Sequence, residues 1–109
     1  MALEHAKPGE VVALRPPGER QAPGRTRAIV RTDSFEVVQL VVAVGTEIPT
    51  HKVPGRIMLQ CLEGRVQLGL PSSNLELRAG DWLYLERGEP HSVRAIEHAS
   101  LLLTILFDG

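Results

Sequence analysis

From Ala28 onward the chain is a succession of short apolar and β-branched runs, cut by turn chemistry at intervals near ten residues. Such a rhythm leaves little room for anything but an all-β fold. Phe35 to Val44 carries five valines, and valine loses rotamer freedom in a helix but packs well on a pleated surface. Strands are predicted there and over Arg56–Glu63, Arg65–Leu70, Leu75–Arg78, Asp81–Leu85, His91–Ile96 and Ser100–Phe107. Glu63-Gly64, Pro71-Ser72-Ser73-Asn74, Ala79-Gly80 and Arg87-Gly88-Glu89-Pro90 separate them as turns. No window holds apolar positions at helical spacing between caps. The expected architecture is an antiparallel sandwich or barrel.

The 109 residues allow one domain. Residues 1–27 read as an N-terminal segment rich in Pro and Gly, with one short strand at Val11–Leu14. Residues 28–109 form the barrel. Arg15, Arg20, Arg25, Arg27 and Arg31 stand against Glu19 alone, but Pro and Gly there deny them a rigid basic face, so the stretch reads as a solvated leader. The net charge of −1 argues against a nucleic-acid or membrane-surface partner. No run approaches the roughly 18 apolar residues of a membrane span. Met1 to Gly9 lacks the apolar core of a signal peptide, and the single cysteine, Cys61, cannot form an internal disulfide. A reduced, cytoplasmic location is expected.

Of four histidines, His5 falls in the leader and His98 in a polar Glu97-His98 turn. His51 and His91 each stand at a strand edge after a loop containing Gly or Pro, where antiparallel strands can converge at one mouth. Two imidazoles at one hollow are the raw material of a metal site or an acid–base site. The residues around them resemble the two motifs of the cupin family. Gly45-Thr46-Glu47-Ile48-Pro49-Thr50-His51, closed by Gly64, resembles the first; Gly80 to His91, with Gly88 between, resembles the second. The likeness covers about Ala28 to Phe107 and implies a small, single-domain, RmlC-like cupin: a double-stranded β-helix, or jelly-roll barrel.

The departures bear on function. The second histidine that the family's first motif expects is Val53, its carboxylate position is Ile57, and the closing Asn of the second motif is Ala95. The resemblance implies three histidines and a carboxylate around a metal, and only His51 and His91 remain to hold a zinc, nickel, iron or copper ion. Nothing in the motifs aims Glu47 or Glu86 inward. Val53 and Ile57 would dry the hollow and leave a divalent cation poorly solvated. The expected pocket is centred on His51 and His91 and lined by Val53, Ile57, Cys61 and Tyr84.

Cys61 shares the alternation face of Ile57 and Leu59, which suits a buried hydrophobe and, were that face to line the pocket, a soft ligand. Trp82 and Tyr84 alternate with Leu83 and Leu85; which pair faces inward is open. These features imply a mostly apolar pocket for a small organic molecule. A metal-dependent dioxygenase, a metal-free isomerase or epimerase with Tyr84 as acid, and a non-catalytic sensor or structural module are the alternatives. Both faces of Phe35–Val44 are apolar, and Met58 and Leu62 lie opposite Ile57. The outer wall therefore needs cover, from the N-terminal segment or from a second copy in a homodimer packed sheet to sheet.

Overall fold

A computed structural model of the chain describes residues 5–14 and 26–107. Nine strands make up the regular structure of those residues: β1 (Thr26–Arg31), β2 (Phe35–Val42), β3 (Glu47–His51), β4 (Arg56–Glu63), β5 (Arg65–Leu70), β6 (Ser73–Arg78), β7 (Trp82–Leu85), β8 (His91–Ala95) and β9 (Ala99–Leu106). They build two antiparallel sheets, one ordered β1-β2-β9-β4-β7 and the other β3-β8-β5-β6. The core lies between them. Leu59, Cys61 and Leu101 of the first sheet pack with Val66, Leu68, Leu77, Val93 and Ala95 of the second. Alternation along each strand produces this layering: β4 buries Ile57, Leu59 and Cys61 and turns Met58, Gln60 and Leu62 outward.

Strand β3 is the element that composition conceals. Pro49 interrupts it, and Glu47, Pro49 and Thr50 are exposed. It forms because it is the edge of its sheet, pairing only with β8, where a residue without an N–H costs no ladder bond on the open side. A register shift between Ile48 and His51 accompanies the proline. Strand β2 ends at Val42 instead of Val44, because Thr46 N–H turns back to the Ala43 carbonyl at 3.0 Å. Asp81 caps its turn as the sequence suggests, accepting the Arg78 N–H through Oδ2 at 2.9 Å.

The N-terminal piece departs from expectation. Val11–Leu14 is not a strand. Residues 5–14 act as a strap tied to the first sheet at three points. Ala6 N–H donates to the Ile29 carbonyl at 2.8 Å, Arg27 Nη1 to the Ala13 carbonyl at 3.3 Å, and Gln39 Nε2 to the Leu14 carbonyl at 2.6 Å. Side chains and an occasional backbone bond replace the ladder. Arg15, Arg20 and Arg25 of the basic leader lie outside the described residues. No helix long and apolar enough to cross a membrane occurs among those described.

Candidate functional site

The β3–β4 and β7–β8 connections leave one sheet for the other at the same end of the barrel. Gly88 N–H donates to the Val53 carbonyl at 2.9 Å, and Arg56 Nε meets Glu86 Oε1 at 2.9 Å, so the two connections are stitched together. His51 closes β3 just before this stitch and His91 opens β8 just after it. They are Cα partners across the β3–β8 ladder. Register partners occupy the same face of a sheet, and on β8 that face is the one carrying buried His91, Val93 and Ala95. The two histidine positions are thus register partners at one end of the β3–β8 ladder.

His91 is 5% exposed, and its ring is oriented by Nδ1, which lies 3.0 Å from the Glu89 carbonyl oxygen. A carbonyl only accepts, so Nδ1 carries the proton and the lone pair of the neutral ring resides on Nε2. That tautomer presents a hydrogen-bond acceptor when neutral and a second donor when protonated. Val93 lies two positions further on the same strand, with Ile48 opposite it on β3. Ile57 is buried and Val53 half-buried. Both stand at this end by connectivity.

Two other residues assigned to the pocket belong elsewhere. Tyr84 is 54% exposed and has Met58 as its register partner, so it lies on the outer surface of the first sheet with Trp82. Leu85 is buried and Leu83 packs on the core, which settles the open choice of inward pair. The outward side of β7 is solvent at a sheet edge, and aromatic rings tolerate it better than the leucines' branched alkyl groups tolerate loss of the core. Cys61 has the inward face expected of it but sits four positions beyond Ile57, about 13 Å along the strand. It packs with Ala95, Ala99 and Leu101 at the other end of the barrel. Its Sγ donates to the Glu63 carbonyl at 3.3 Å, and burial, helped by Asp81, pushes the thiol's pKa up. Neither residue can act at the histidines.

The donor set does not fit a resident metal. Two of the four positions at which ligands are expected are aliphatic. Glu47 is exposed opposite Arg94, and Glu86 is engaged by Arg56 at the surface. No cluster of three or more His, Cys, Asp or Glu side chains suited to a metal occurs among the described residues. His5 and His98 are exposed.

The two-sheet arrangement has many counterparts among solved structures. A cupin superfamily protein from Desulfitobacterium hafniense matches with a TM-score of 0.76 at 15% identity, over 83% of this chain and 84% of that one. The fold is that of a cupin. An RmlC-like cupin from Desulfovibrio desulfuricans matches with a TM-score of 0.71 at 20% identity, covering 86% of this chain and 97% of that one. The cupin fold also hosts a DMSP lyase, DddQ, from Ruegeria pomeroyi, with a TM-score of 0.72 at 18% identity over 77% of this chain and 47% of that enzyme. No protein-family model matches the chain, and no curated protein matches it in sequence. Likeness at this level establishes the cupin architecture and leaves the chemistry to the residues at the site.

Sequence reasoning missed Gln39. It is 1% exposed, donates to both the Leu14 carbonyl and Ser100 Oγ, and holds the strap in place. A glutamine among valines carries no signal of such a role until the strap's position is known.

Proposed function

We propose that the chain binds a small organic molecule at the stitched end of the barrel, with His51 and His91 taking its polar group and the aliphatic residues taking its body. The observation that carries this reading is the register pairing of the two histidines, joined to the fixed tautomer of His91. Apolar walls with a few convergent polar groups are the usual composition of a small-molecule site. An organic acid or a ring compound bearing a hydroxyl or carboxylate meets both halves of that description. A neutral imidazole accepts from a hydroxyl, and a protonated one donates to a carboxylate.

Binding or sensing suits the site better than turnover. An isomerase needs an acid opposite its base, and Tyr84, the candidate acid, lies on the wrong side of the sheet. Dioxygenase chemistry needs a metal for which the described residues offer no ligand set. A reducing cytoplasm suits a chain whose one cysteine has no second cysteine to pair with.

The test is a thermal-shift panel of small carboxylates and hydroxylated ring compounds on wild type and His91→Leu, with zinc, nickel, iron(II) and copper(II) as separate arms. A ligand that prefers the native state raises the midpoint by mass action. At least one organic compound is expected to stabilise wild type and not His91→Leu. Stabilisation by a metal alone would replace this reading with a metal centre.

A further inference from the structure

The strap and the first sheet leave a cavity between them, separate from the histidine end. Its volume is about 350 Å³, and among the described residues Val12 and Leu14 of the strap, Leu62 and Glu63 of β4 and Ser100 of β9 line it. That size falls in the lower range of small-molecule pockets, roughly 300–1,000 Å³. A bulge shapes one wall. The β4–β9 register slips between Cys61 and Glu63, so Leu62 and Glu63 both stand opposite Ser100, on the side of the sheet away from the core residues Cys61 and Leu101. We infer that this cavity binds a small primary amine with an aliphatic body, its ammonium on Glu63 and Ser100 and its carbon chain on Val12, Leu14 and Leu62.

Charge and hydrogen bonding select that class of ligand. Glu63 is the one ionisable residue among the described ones that line the cavity. Its carboxylate favours a cation, through charge-assisted hydrogen bonds, and repels an anion. The hydroxyl beside it is already oriented. Gln39 Nε2 lies 2.6 Å from the Leu14 carbonyl oxygen; that oxygen only accepts, so the amide cannot be turned round. The second Nε2 hydrogen goes to Ser100 Oγ at 3.0 Å. Ser100 Oγ keeps one lone pair, which can accept from an ammonium. The remaining described walls, Val12, Leu14 and Leu62, are aliphatic and gain by covering methylene groups. Neither His51 nor His91 is among the residues named, so occupancy of this cavity does not depend on the proposed function.

Hexylamine, hexanol and hexanoate, equal in length and different in charge, test it by NMR titration of the full chain labelled at its valine and leucine methyl groups. Hexylamine is expected to move the methyl resonances of Val12, Leu14 and Leu62 with one dissociation constant and to leave the His91 ring signals still. Hexanol should bind about fivefold more weakly, the scale of one partly exposed ion pair, and hexanoate more weakly again. Glu63→Gln, at an exposed position, should abolish the preference for amine over alcohol and keep the alcohol's own affinity. Equal affinity for all three compounds, or an amine preference that survives Glu63→Gln, overturns the inference. So does stillness of these methyls at millimolar amine; nuclear Overhauser contacts to them from residues 15–25 would then identify the chain itself as what fills the cavity.

Discussion

His51 and His91 are Cα partners across the β3–β8 ladder, although a whole sheet's worth of chain separates them in sequence. The Arg56–Glu86 ion pair and the Gly88–Val53 hydrogen bond hold the connections beside them. The proposed binding function requires of the fold that these two backbone positions be held at one end of the barrel.

The same arrangement should be convertible into a metal centre. Val53→His with Ile57→Glu supplies a histidine and a carboxylate at the two positions now aliphatic. The double variant is expected to bind zinc or nickel at least about a hundredfold more tightly than wild type, because two further ligands replace lost hydration. Calorimetric titration with metal measures it. Burying a glutamate at position 57 costs stability without metal, so the apo variant should melt well below wild type. Equal metal affinity in the two proteins would show that the four positions do not share one hollow.

Glu86 should be dispensable for binding. Its partner Arg56 is partly exposed and the carboxylate more so, at 41% and 58%, and such surface pairs contribute at most about 1 kcal/mol. Glu86→Gln is expected to lower the urea-derived stability by less than that and to leave ligand affinity unchanged. A tenfold loss of affinity would place the carboxylate in the site.

The glycines that mark the motifs are separable by their surroundings. Gly64 and Gly80 both adopt positive φ, 78° and 94°. A Cβ at Gly80 meets open space, whereas one at Gly64 overlaps the His98 carbonyl oxygen and the Ala99 Cα. Gly80→Ala should cost about 1–2 kcal/mol, the price of the left-handed backbone alone. Gly64→Ala should cost at least about 3 kcal/mol, since backbone atoms cannot step aside. Urea unfolding of the two variants, compared at equal slope, distinguishes them.

Much of this fold is legible in the residues because turn chemistry and spacing are local. Glu63-Gly64 and Ala79-Gly80 announce their turns, and the valines of β2 announce a strand with two apolar sides. Strand β3 escapes notice because its stability comes from β8 and its edge position, with Pro49 arguing the other way. The inward pair on β7 was undecidable for a different reason: Trp82, Leu83, Tyr84 and Leu85 are all apolar enough for either face, and only the neighbours Ile57 and Met58 break the tie. For Cys61 the face was readable and the depth along β4 was not. The likeness to known motifs singles out His51 and His91; their ladder pairing needs strand β3, which the sequence hides.

Cys61 should be inert until the chain unfolds. Burial raises its pKa above the ordinary thiol value of about 8.5. The folded state thus favours the protonated thiol. The associated stability is complete below the unfolded-state value and is lost as pH rises from there through the raised folded value. Native protein is expected to react with a disulfide reagent only as fast as it opens, and labelling should accelerate sharply in denaturant. Complete labelling of native protein within the reagent's mixing time would contradict this, as would alkaline melts showing no loss above that range.

Gln39 should govern the strap. Gln39→Met keeps the volume, removes the bonds to the Leu14 carbonyl and Ser100, and also removes a buried Oε1 that has no partner among the described residues. The two effects oppose, so global stability should change by less than about 1.5 kcal/mol. Hydrogen exchange at the Ala6 amide, which is bonded to Ile29, should nevertheless quicken at least tenfold as the strap loosens. Unaltered exchange would assign the strap's position to other contacts.

The most direct measurement of the central claim follows the side-chain nitrogens of all four histidines by heteronuclear NMR while a stabilising organic compound is added. The imidazole resonances of His51 and His91 are expected to move together with one dissociation constant, leaving those of His5 and His98 still. Movement of only one of that pair, or of neither while the compound still raises the melting point, would contradict a shared binding site at the end of this barrel.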